Sequence, residues 1–121
     1  MTPTCDLYDH FLDTCGVLTP ALRHYGGHGQ FHGPAMTIKT HEVNSRVKEL
    51  VNTPGNGRVL VVDGGGSLRR ALTGDVIAAE AAANAWAGIV IWGAVRDVAL
   101  LAETPVGIMA LGHTPRKCVR R

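Results

Sequence analysis

Two short runs of apolar residues, separated by an alanine-rich segment, constrain the fold of this 121-residue chain more than any other feature. The runs are RVLVV (58–62) and IVIW (89–92), and their apolar residues do not alternate with polar ones, which is typical of strands buried on both faces of a sheet. The segment DVIAAEAAANAWA (75–87) predicts a helix that begins at an acidic residue and has Gly88 as its C-cap. This strand–helix–strand order predicts an α/β domain in which a right-handed crossover joins two parallel strands.

Further patterns extend this α/β interpretation along the chain. Apolar residues recur at helical spacing before the NTPGNG turn, and a Thr-Pro pair leads into a last apolar run. The additional predicted elements are a strand at 35–39, a helix at 43–51, a helix at 98–103 and a strand at 106–111. With no linker or internal repeat, these elements predict a single domain over residues 1–121.

Composition and charge exclude several classes of function. The net charge of +2 is too small to favour direct binding of nucleic acid, and the terminal RKCVRR stretch is interpreted as a solvated end. The longest apolar region, AWAGIVIWGAV, is too short to span a membrane. Three cysteines without a CxxC motif fit a reducing compartment, and the N-terminus has no signal-peptide pattern. We therefore expect a soluble, cytoplasmic protein without a membrane partner.

The glycines of DGGGS, directly after the first central strand, suggest a nucleotide-binding loop at first sight. A phosphate-binding loop needs GxxxxGK[ST], but no Lys–Ser/Thr pair follows these glycines. A dinucleotide fingerprint needs GxGxxG, but Arg69 occupies the position of the third glycine. We therefore predict a tight turn at residues 64–66.

Two charged pairs lie where the predicted strands meet the following segments. Gly74-Asp75 opens the helix predicted at 75–87, and Arg96-Asp97 follows the strand IVIW. The carboxyl ends of parallel strands share one edge of a sheet, so both pairs are expected at the same edge. A helix N-terminus beside an arginine suits a carboxylate ligand, and an aspartate suits Mg²⁺ or Mn²⁺. The structural alternatives are a helix cap at Asp75 and a salt bridge between Arg96 and Asp97.

Other polar residues are interpreted as structural. His24, His28 and His32 recur every four residues, but the intervening glycines argue against a helix that would align them as metal ligands. His41 and Asn44 flank the start of the helix predicted at 43–51. The favoured interpretation is that one of these residues is a loop side chain and the other a helix cap. The alternative is that they approach the site.

The spacing and flanks of the two charged pairs resemble the RraA-like family. Twenty residues separate Gly74-Asp75 from Arg96-Asp97. The stretches that carry the resemblance, over nearly the whole chain, are GPAMTIKTHEVNSRVKE, GRVLVVDGGGSLRRALTGD, GIVIWGAVRDV and GIMALGHTPRK. The family includes metal-dependent 4-hydroxy-4-methyl-2-oxoglutarate aldolases and the regulator of ribonuclease E activity. The resemblance implies a swivelling β/β/α domain, a ring-shaped homotrimer with sites at subunit interfaces, and family C-terminal strands that these 121 residues lack.

The resemblance also implies a role for each residue of the two pairs. Asp97 would bind the divalent metal, with Mg²⁺ expected first and Mn²⁺ as the alternative. Arg96 would be catalytic, holding substrate oxygens and stabilising negative charge, and Asp75 would orient water on the metal. Backbone N–H groups would contact the carboxylate of the 2-oxo acid substrate along the segment Gly74, Asp75, Val76 and Ile77.

Two functions follow from the resemblance. The first is a metal-dependent aldolase that cleaves 4-hydroxy-4-methyl-2-oxoglutarate to pyruvate and decarboxylates oxaloacetate through the same pyruvate enolate, with no Schiff-base lysine. The second is a regulator that binds and inhibits ribonuclease E without catalysis. The intact Arg96-Asp97 pair favours the enzyme, because a regulator alone has no need of a metal ligand there.

Overall fold

A largely parallel sheet flanked by helices forms the computed structural model, which describes residues 2–18 and 21–118. The strand order is β1-β6-β5-β3-β2, and β4 pairs with β5 beside this path. In chain order the elements are α1 (Thr4–His10), β1 (Arg23–His24), β2 (Ala35–Lys39), α2 (Ser45–Val51), β3 (Val59–Asp63), β4 (Ala71–Thr73), α3 (Asp75–Ala83), β5 (Gly88–Val95), α4 (Val98–Ala102) and β6 (Gly107–His113).

The pairing of the central strands confirms the predicted α/β fold with parallel crossovers. β2, β3, β5 and β6 are parallel to one another, and β1 is antiparallel to β6. β5 has different neighbours along one of its edges: its first half pairs with β3 up to Trp92, and its last residues pair with β4. A register shift between Ile91 and Ala94 accompanies this change of neighbour.

The helix predicted at 75–87 is shorter than expected, and Gly88 is not its cap. The helix ends at Ala83, and Ala85 adopts a left-handed φ of 63°. The Trp86 side chain is buried in the core, where its indole N–H donates to the Thr53 carbonyl at 3.0 Å. Gly88 instead begins β5, where the Phe31 ring packs against it and leaves no room for a side chain.

Other boundaries differ from the predictions by a few residues. The helix predicted at 43–51 begins at Ser45, and β5 continues beyond Trp92 to Val95. The sequence patterns also missed α1, β1 and β4. The last two are short, with two and three residues, and depend on hydrogen bonds to strands distant in sequence.

The core lies between the sheet and the helices α2, α3 and α4. These elements contribute fully buried aliphatic side chains, which removes apolar surface from water and provides the main stabilisation. Fully buried core residues include Val47, Val51, Leu60, Val62, Ala78, Ile89, Ile91, Leu101 and Ile108. Within the described residues no helix is both long and apolar enough to cross a membrane.

Candidate active site

A cleft of about 620 Å³ opens at the carboxyl ends of β4 and β5, where the sequence predicted a site. Its volume lies within the range of small-molecule sites. The residues that line it are Asn44, Ser45, Lys48, Ala71, Gly74, Asp75, Val76, Ile77, Arg96, Asp97, Lys117 and Cys118. The structure therefore brings all six residues of the predicted site, Gly74, Asp75, Val76, Ile77, Arg96 and Asp97, to one cleft.

Gly74 is the N-cap of α3 and allows the two charged pairs to approach each other. A Cβ atom at this position would lie 2.7 Å from Oδ2 of Asp97 and 3.0 Å from Cγ of Arg96. The backbone of Gly74 is extended, with φ of −131°. The glycine is thus required by the close approach of side chains and not by its backbone conformation.

Asp97 reaches back to the start of α3. Its Oδ2 accepts a hydrogen bond from the backbone N–H of Asp75 at 3.2 Å. Asp97 itself has a left-handed backbone, with φ of 55° and ψ of 45°, and is the N-cap of α4. Aspartate tolerates this conformation better than most residues, and such conformations cluster at functional sites. The helix-cap alternative for Asp75 is wrong, since Gly74 is the N-cap residue and Asp75 is the first residue of α3.

The Arg96 side chain has a hydrogen-bond donor without a partner among the described residues. Its Nε lies 3.8 Å from Oδ2 of Asp97, which is an ion pair but too long for a hydrogen bond. This Nε is buried and has no hydrogen-bond partner within the described residues. The backbone is fixed, because the Arg96 N–H donates to the Thr73 carbonyl at 2.9 Å. A buried donor without a partner costs free energy, whereas the half-exposed remainder of the guanidinium is open to the cleft.

The N-terminus of α3 supplies the remaining donors. The N–H groups of Val76 and Ile77 lie in the first turn, where a helix offers no carbonyl to accept them. These amides and the helix dipole favour an anion at this end. The arrangement of Arg96 beside this turn is suited to a planar carboxylate.

Five polar or ionisable residues of the cleft were not predicted as site residues: Asn44, Ser45, Lys48, Lys117 and Cys118. Asn44 is the N-cap residue of α2, as the favoured interpretation predicted, and it also lines the cleft, as the alternative predicted; His41 is not among the lining residues. Lys48 comes from α2, and Lys117 and Cys118 come from the segment after β6. The Cys118 thiol donates to the Ala71 carbonyl at 3.1 Å, and burial raises its pKa.

The glycine loop after β3 is a turn whose amides are all used within the chain. Gly64 and Gly66 both donate to the Trp92 carbonyl, at 3.1 and 3.0 Å, and Gly65 donates to the Asp63 carboxylate at 2.9 Å. Gly65 and Gly66 have left-handed φ values of 70° and 76°, which glycine adopts without strain. The predicted tight turn is confirmed, and the loop has no N–H left for a phosphate.

Glu42 ties this loop to the segment before α2. Its Oε2 accepts a hydrogen bond from the Ser67 hydroxyl at 2.9 Å and lies 3.2 Å from Nε2 of His41. The hydrogen bond from Ser67 is the main reason that the pKa of Glu42 lies below its usual value; nearby Arg69, His41 and Arg70 lower it further, while burial opposes the shift.

The carboxylates of the cleft fit a divalent cation that keeps water or substrate oxygens among its ligands. Asp75 and Asp97 both line the cleft, and Asp97 uses one oxygen for the Asp75 amide. Mg²⁺ is commonly bound by one or two carboxylates, with the remaining positions filled by water and substrate. Across residues 2–18 and 21–118, no group of three or more His, Cys, Asp or Glu could hold a metal, as a structural Zn²⁺ site would require.

Comparison with known sequences links this cleft to one family. The family described as RraA-like: Aldolase/RraA matches residues 4–121. A protein of Xanthomonas campestris pv. campestris (strain 8004), named "Putative 4-hydroxy-4-methyl-2-oxoglutarate aldolase", is 54% identical over 118 residues, which are 98% of this chain and 70% of that protein. A protein of the same name from Ectopseudomonas mendocina (strain ymp) is 52% identical over 118 residues, with 98% and 73% covered.

Solved structures share the fold at similar identity. The RNA-processing inhibitor RraA from Thermus thermophilis matches with a TM-score of 0.96 and 40% identity, over 100% of this chain and 73% of that one. A structure from Geobacillus kaustophilus HTA426, described as S-adenosylmethionine:2-dimethylmenaquinone methyltransferase, matches with a TM-score of 0.96 and 42% identity, over 99% and 74%. One fold thus carries three different names among its relatives, and the function of this chain has to be argued from its site.

Proposed function

Since this chain belongs to the RraA-like family, we propose that it is a divalent-metal-dependent aldolase that cleaves 4-hydroxy-4-methyl-2-oxoglutarate to pyruvate. One observation carries the proposal. Asp97, Arg96 and the N-terminus of α3 line one cleft. These are the groups needed to hold a 2-oxo acid and to stabilise negative charge that develops next to its carboxylate.

The 2-oxo acid end of the substrate would bind at the start of α3. Its carboxylate would accept hydrogen bonds from the backbone N–H groups of Val76 and Ile77, at the close approach that Gly74 permits. Arg96 would donate from the terminal nitrogens of its guanidinium to the 2-oxo oxygen or the carboxylate. A charge-assisted hydrogen bond of this kind is roughly twice as strong as a neutral one.

The divalent cation would be held by Asp97, with Mg²⁺ the first candidate and Mn²⁺ the second. When bound, it would act as a Lewis acid toward the 2-oxo group. Asp75 would accept hydrogen bonds from water in the cleft and so orient it. The support for these roles is the pair of carboxylates in the cleft and the resemblance of the motif.

Cleavage would proceed by a retro-aldol step. A water molecule acting as base would remove the proton of the C4 hydroxyl, the C4–O bond would become a carbonyl, and the C3–C4 bond would break. The electron pair of that bond would pass to C3 and the 2-oxo oxygen, giving an enolate that Arg96 would stabilise. Protonation of C3 would release one pyruvate, and the carbonyl fragment from C4 would be the second.

Decarboxylation of oxaloacetate would use the same groups. Loss of the distal carboxylate as CO₂ leaves the same pyruvate enolate, so no additional residue is needed. We propose it as a side activity of the same cleft.

A second candidate function is supported by the solved relatives. The RraA protein of Thermus thermophilis is described as an RNA-processing inhibitor and superposes with a TM-score of 0.96. This chain could therefore bind and inhibit ribonuclease E. A cytoplasmic location, as proposed from the sequence, would suit either function, and the free Cys5, Cys15 and Cys118 fit its reducing conditions.

Pyruvate release in the presence of Mg²⁺, measured with lactate dehydrogenase and NADH, tests the aldolase. Asp97→Asn keeps an oxygen that can accept the Asp75 N–H but removes the charge, and we expect turnover to fall at least 10²-fold. EDTA should abolish turnover, and Mg²⁺ or Mn²⁺ should restore it. Asp63→Asn is the matched control, because Asp63 is the last residue of β3 and does not line the cleft, and it should retain wild-type turnover.

Further measurements distinguish the alternatives. Borohydride treatment in the presence of pyruvate should not add mass to the protein, since a covalent adduct would indicate a Schiff-base lysine. Light scattering should give the mass of three chains if the proposed homotrimer forms. A folded trimer without turnover on either substrate would refute the aldolase, and inhibition of ribonuclease E by that protein would then support the regulator.

A further inference from the structure

Two lysines line the cleft and were not assigned any role above. Lys48 is an exposed residue of α2, and Lys117 is an exposed residue of the segment that follows β6. The backbone at Lys117 is fixed beside β4, because its carbonyl accepts a hydrogen bond from Arg70 at 3.0 Å and it forms a β-bridge with Ala71. Lys117 is therefore positioned by the sheet and not only by its own loop.

The cationic groups of the cleft exceed its carboxylates. The cleft is lined by three cationic residues, Lys48, Lys117 and Arg96, and by two carboxylates, Asp75 and Asp97. Asp97 is already paired with Arg96 and with the Asp75 amide. Within the described residues, neither lysine forms an ion pair with a carboxylate. Two ammonium groups are thus available to an anion in the cleft.

We propose that Lys48 and Lys117 bind the distal carboxylate of the substrate, so that the cleft selects dicarboxylic over monocarboxylic 2-oxo acids. This inference rests on the proposed function, which occupies the start of α3 and Arg96 with the other carboxylate. The volume of about 620 Å³ leaves room for a ligand longer than pyruvate. Lysine suits a carboxylate on a carbon whose substituents vary, because its ammonium is a compact charge on a flexible stem.

The chemistry predicts which kinetic constant the lysines control. In the retro-aldol step the distal carboxylate keeps its charge, so a lysine that binds it stabilises the bound substrate and the transition state equally. Losing such an interaction raises KM and leaves kcat unchanged. In the decarboxylation of oxaloacetate the distal carboxylate loses its charge as CO₂ leaves. A lysine bound to this carboxylate therefore stabilises the bound substrate more than the transition state. Removing the lysine should not lower kcat and can raise it.

The test compares two substrates that differ only at the distal group. These are 4-hydroxy-4-methyl-2-oxoglutarate and 4-hydroxy-4-methyl-2-oxopentanoate, in which a methyl group replaces the distal carboxylate. Lys48→Met and Lys117→Met should each raise KM for the dicarboxylate about tenfold, as expected for the loss of a hydrogen bond to a charged group. Their kcat should stay within twofold, and kcat/KM for the monocarboxylate should not change.

Lys39→Met is the matched control, since Lys39 is an exposed lysine at the end of β2 and does not line the cleft. It should leave the kinetics of both substrates unchanged. An equal loss on both substrates in Lys48→Met and Lys117→Met, or no loss on either, would overturn the assignment. A fall of kcat for oxaloacetate decarboxylation in parallel with its kcat/KM would contradict it as well.

A binding measurement separates this inference from the proposed function. Calorimetric titration in Mg²⁺ buffer compares 2-oxoglutarate with 2-oxopentanoate, two five-carbon acids that differ in the distal carboxylate. Tighter binding of 2-oxoglutarate that is lost in the Lys48→Met/Lys117→Met double variant supports the assignment, even if the wild type cleaves no substrate. Equal binding of the two acids by the wild type refutes it, even if the aldolase is active.

Discussion

Replacing Gly74 with alanine tests directly whether the close approach of the two charged pairs matters. The new Cβ would lie 2.7 Å from Oδ2 of Asp97, so that oxygen would have to retreat by about 0.8 Å to reach a comfortable separation of roughly 3.5 Å. Arg96, whose Cγ would be 3.0 Å away, would have to shift with it. A misplacement of about 1 Å in a catalytic group can cost about 10²-fold in rate.

The fold should tolerate the same substitution. The extended backbone of Gly74 is open to alanine, and alanine lowers the entropy of the unfolded chain, which contributes about 0.4–1 kcal/mol. Weakening the hydrogen bond from the Asp75 amide to Asp97 opposes this by about 1.5–3 kcal/mol. We therefore expect the free energy of unfolding to fall by about 0.5–2.6 kcal/mol while kcat falls about 10²-fold.

The assay is pyruvate release together with urea unfolding followed by circular dichroism. Gly29→Ala is the matched control, because a Cβ at Gly29 would meet no atom within 4 Å; it should leave turnover unchanged. A folded Gly74→Ala protein with turnover within threefold of the wild type would refute the reasoning. Asp97 and Arg96 would then not act from the positions seen in the structure.

Two further substitutions test the electrostatics and packing around the site. Glu42→Gln should lower stability at pH 7, because the folded-state pKa of Glu42 is depressed and its carboxylate stabilises the fold above the usual glutamate pKa. That difference should disappear as the pH falls below about 4 and through the folded pKa, and a constant difference in urea midpoints from pH 7 to pH 3 would contradict it. Thr73→Val should raise the free energy of unfolding by about 1 kcal/mol, since the Thr73 hydroxyl is fully buried and has no hydrogen-bond partner in the described chain. A loss of stability in urea titration would show that this hydroxyl has a partner after all.

The central crossover could be predicted from sequence because local patterns and long-range pairing agree there. Residues 59–62 and 89–92 are apolar throughout, and they lie in the neighbouring parallel strands β3 and β5. The end of α3 could not be predicted, since alanines continue to residue 87. The helix ends because of a tertiary contact: Trp86 is buried in the core, where its indole N–H donates a hydrogen bond to the Thr53 carbonyl.

The residues of the site likewise fall into those that the sequence predicted and those that it did not. The two charged pairs could be placed together because each follows a strand, and parallel strands end at one edge. Lys48 and Lys117 carry no such signal, since one lies on a helix surface and the other in an irregular segment. Their presence in the cleft depends on how α2 and the segment after β6 pack, which a local pattern does not encode. The metal and the roles of the individual residues rest on the resemblance and stay predictions.

The change of neighbour along β5 separates the pairing that aligns β3 from the pairing that aligns β4. β4 is aligned by its pairing with Ala94 and Val95 of β5, and Gly74 follows β4 directly. The seven-residue connection at 64–70 joins β3 to β4 but does not itself set the position of Gly74. A substitution that disturbs the last residues of β5 should therefore displace Gly74 together with Arg96, even where the pairing of β5 with β3 is intact.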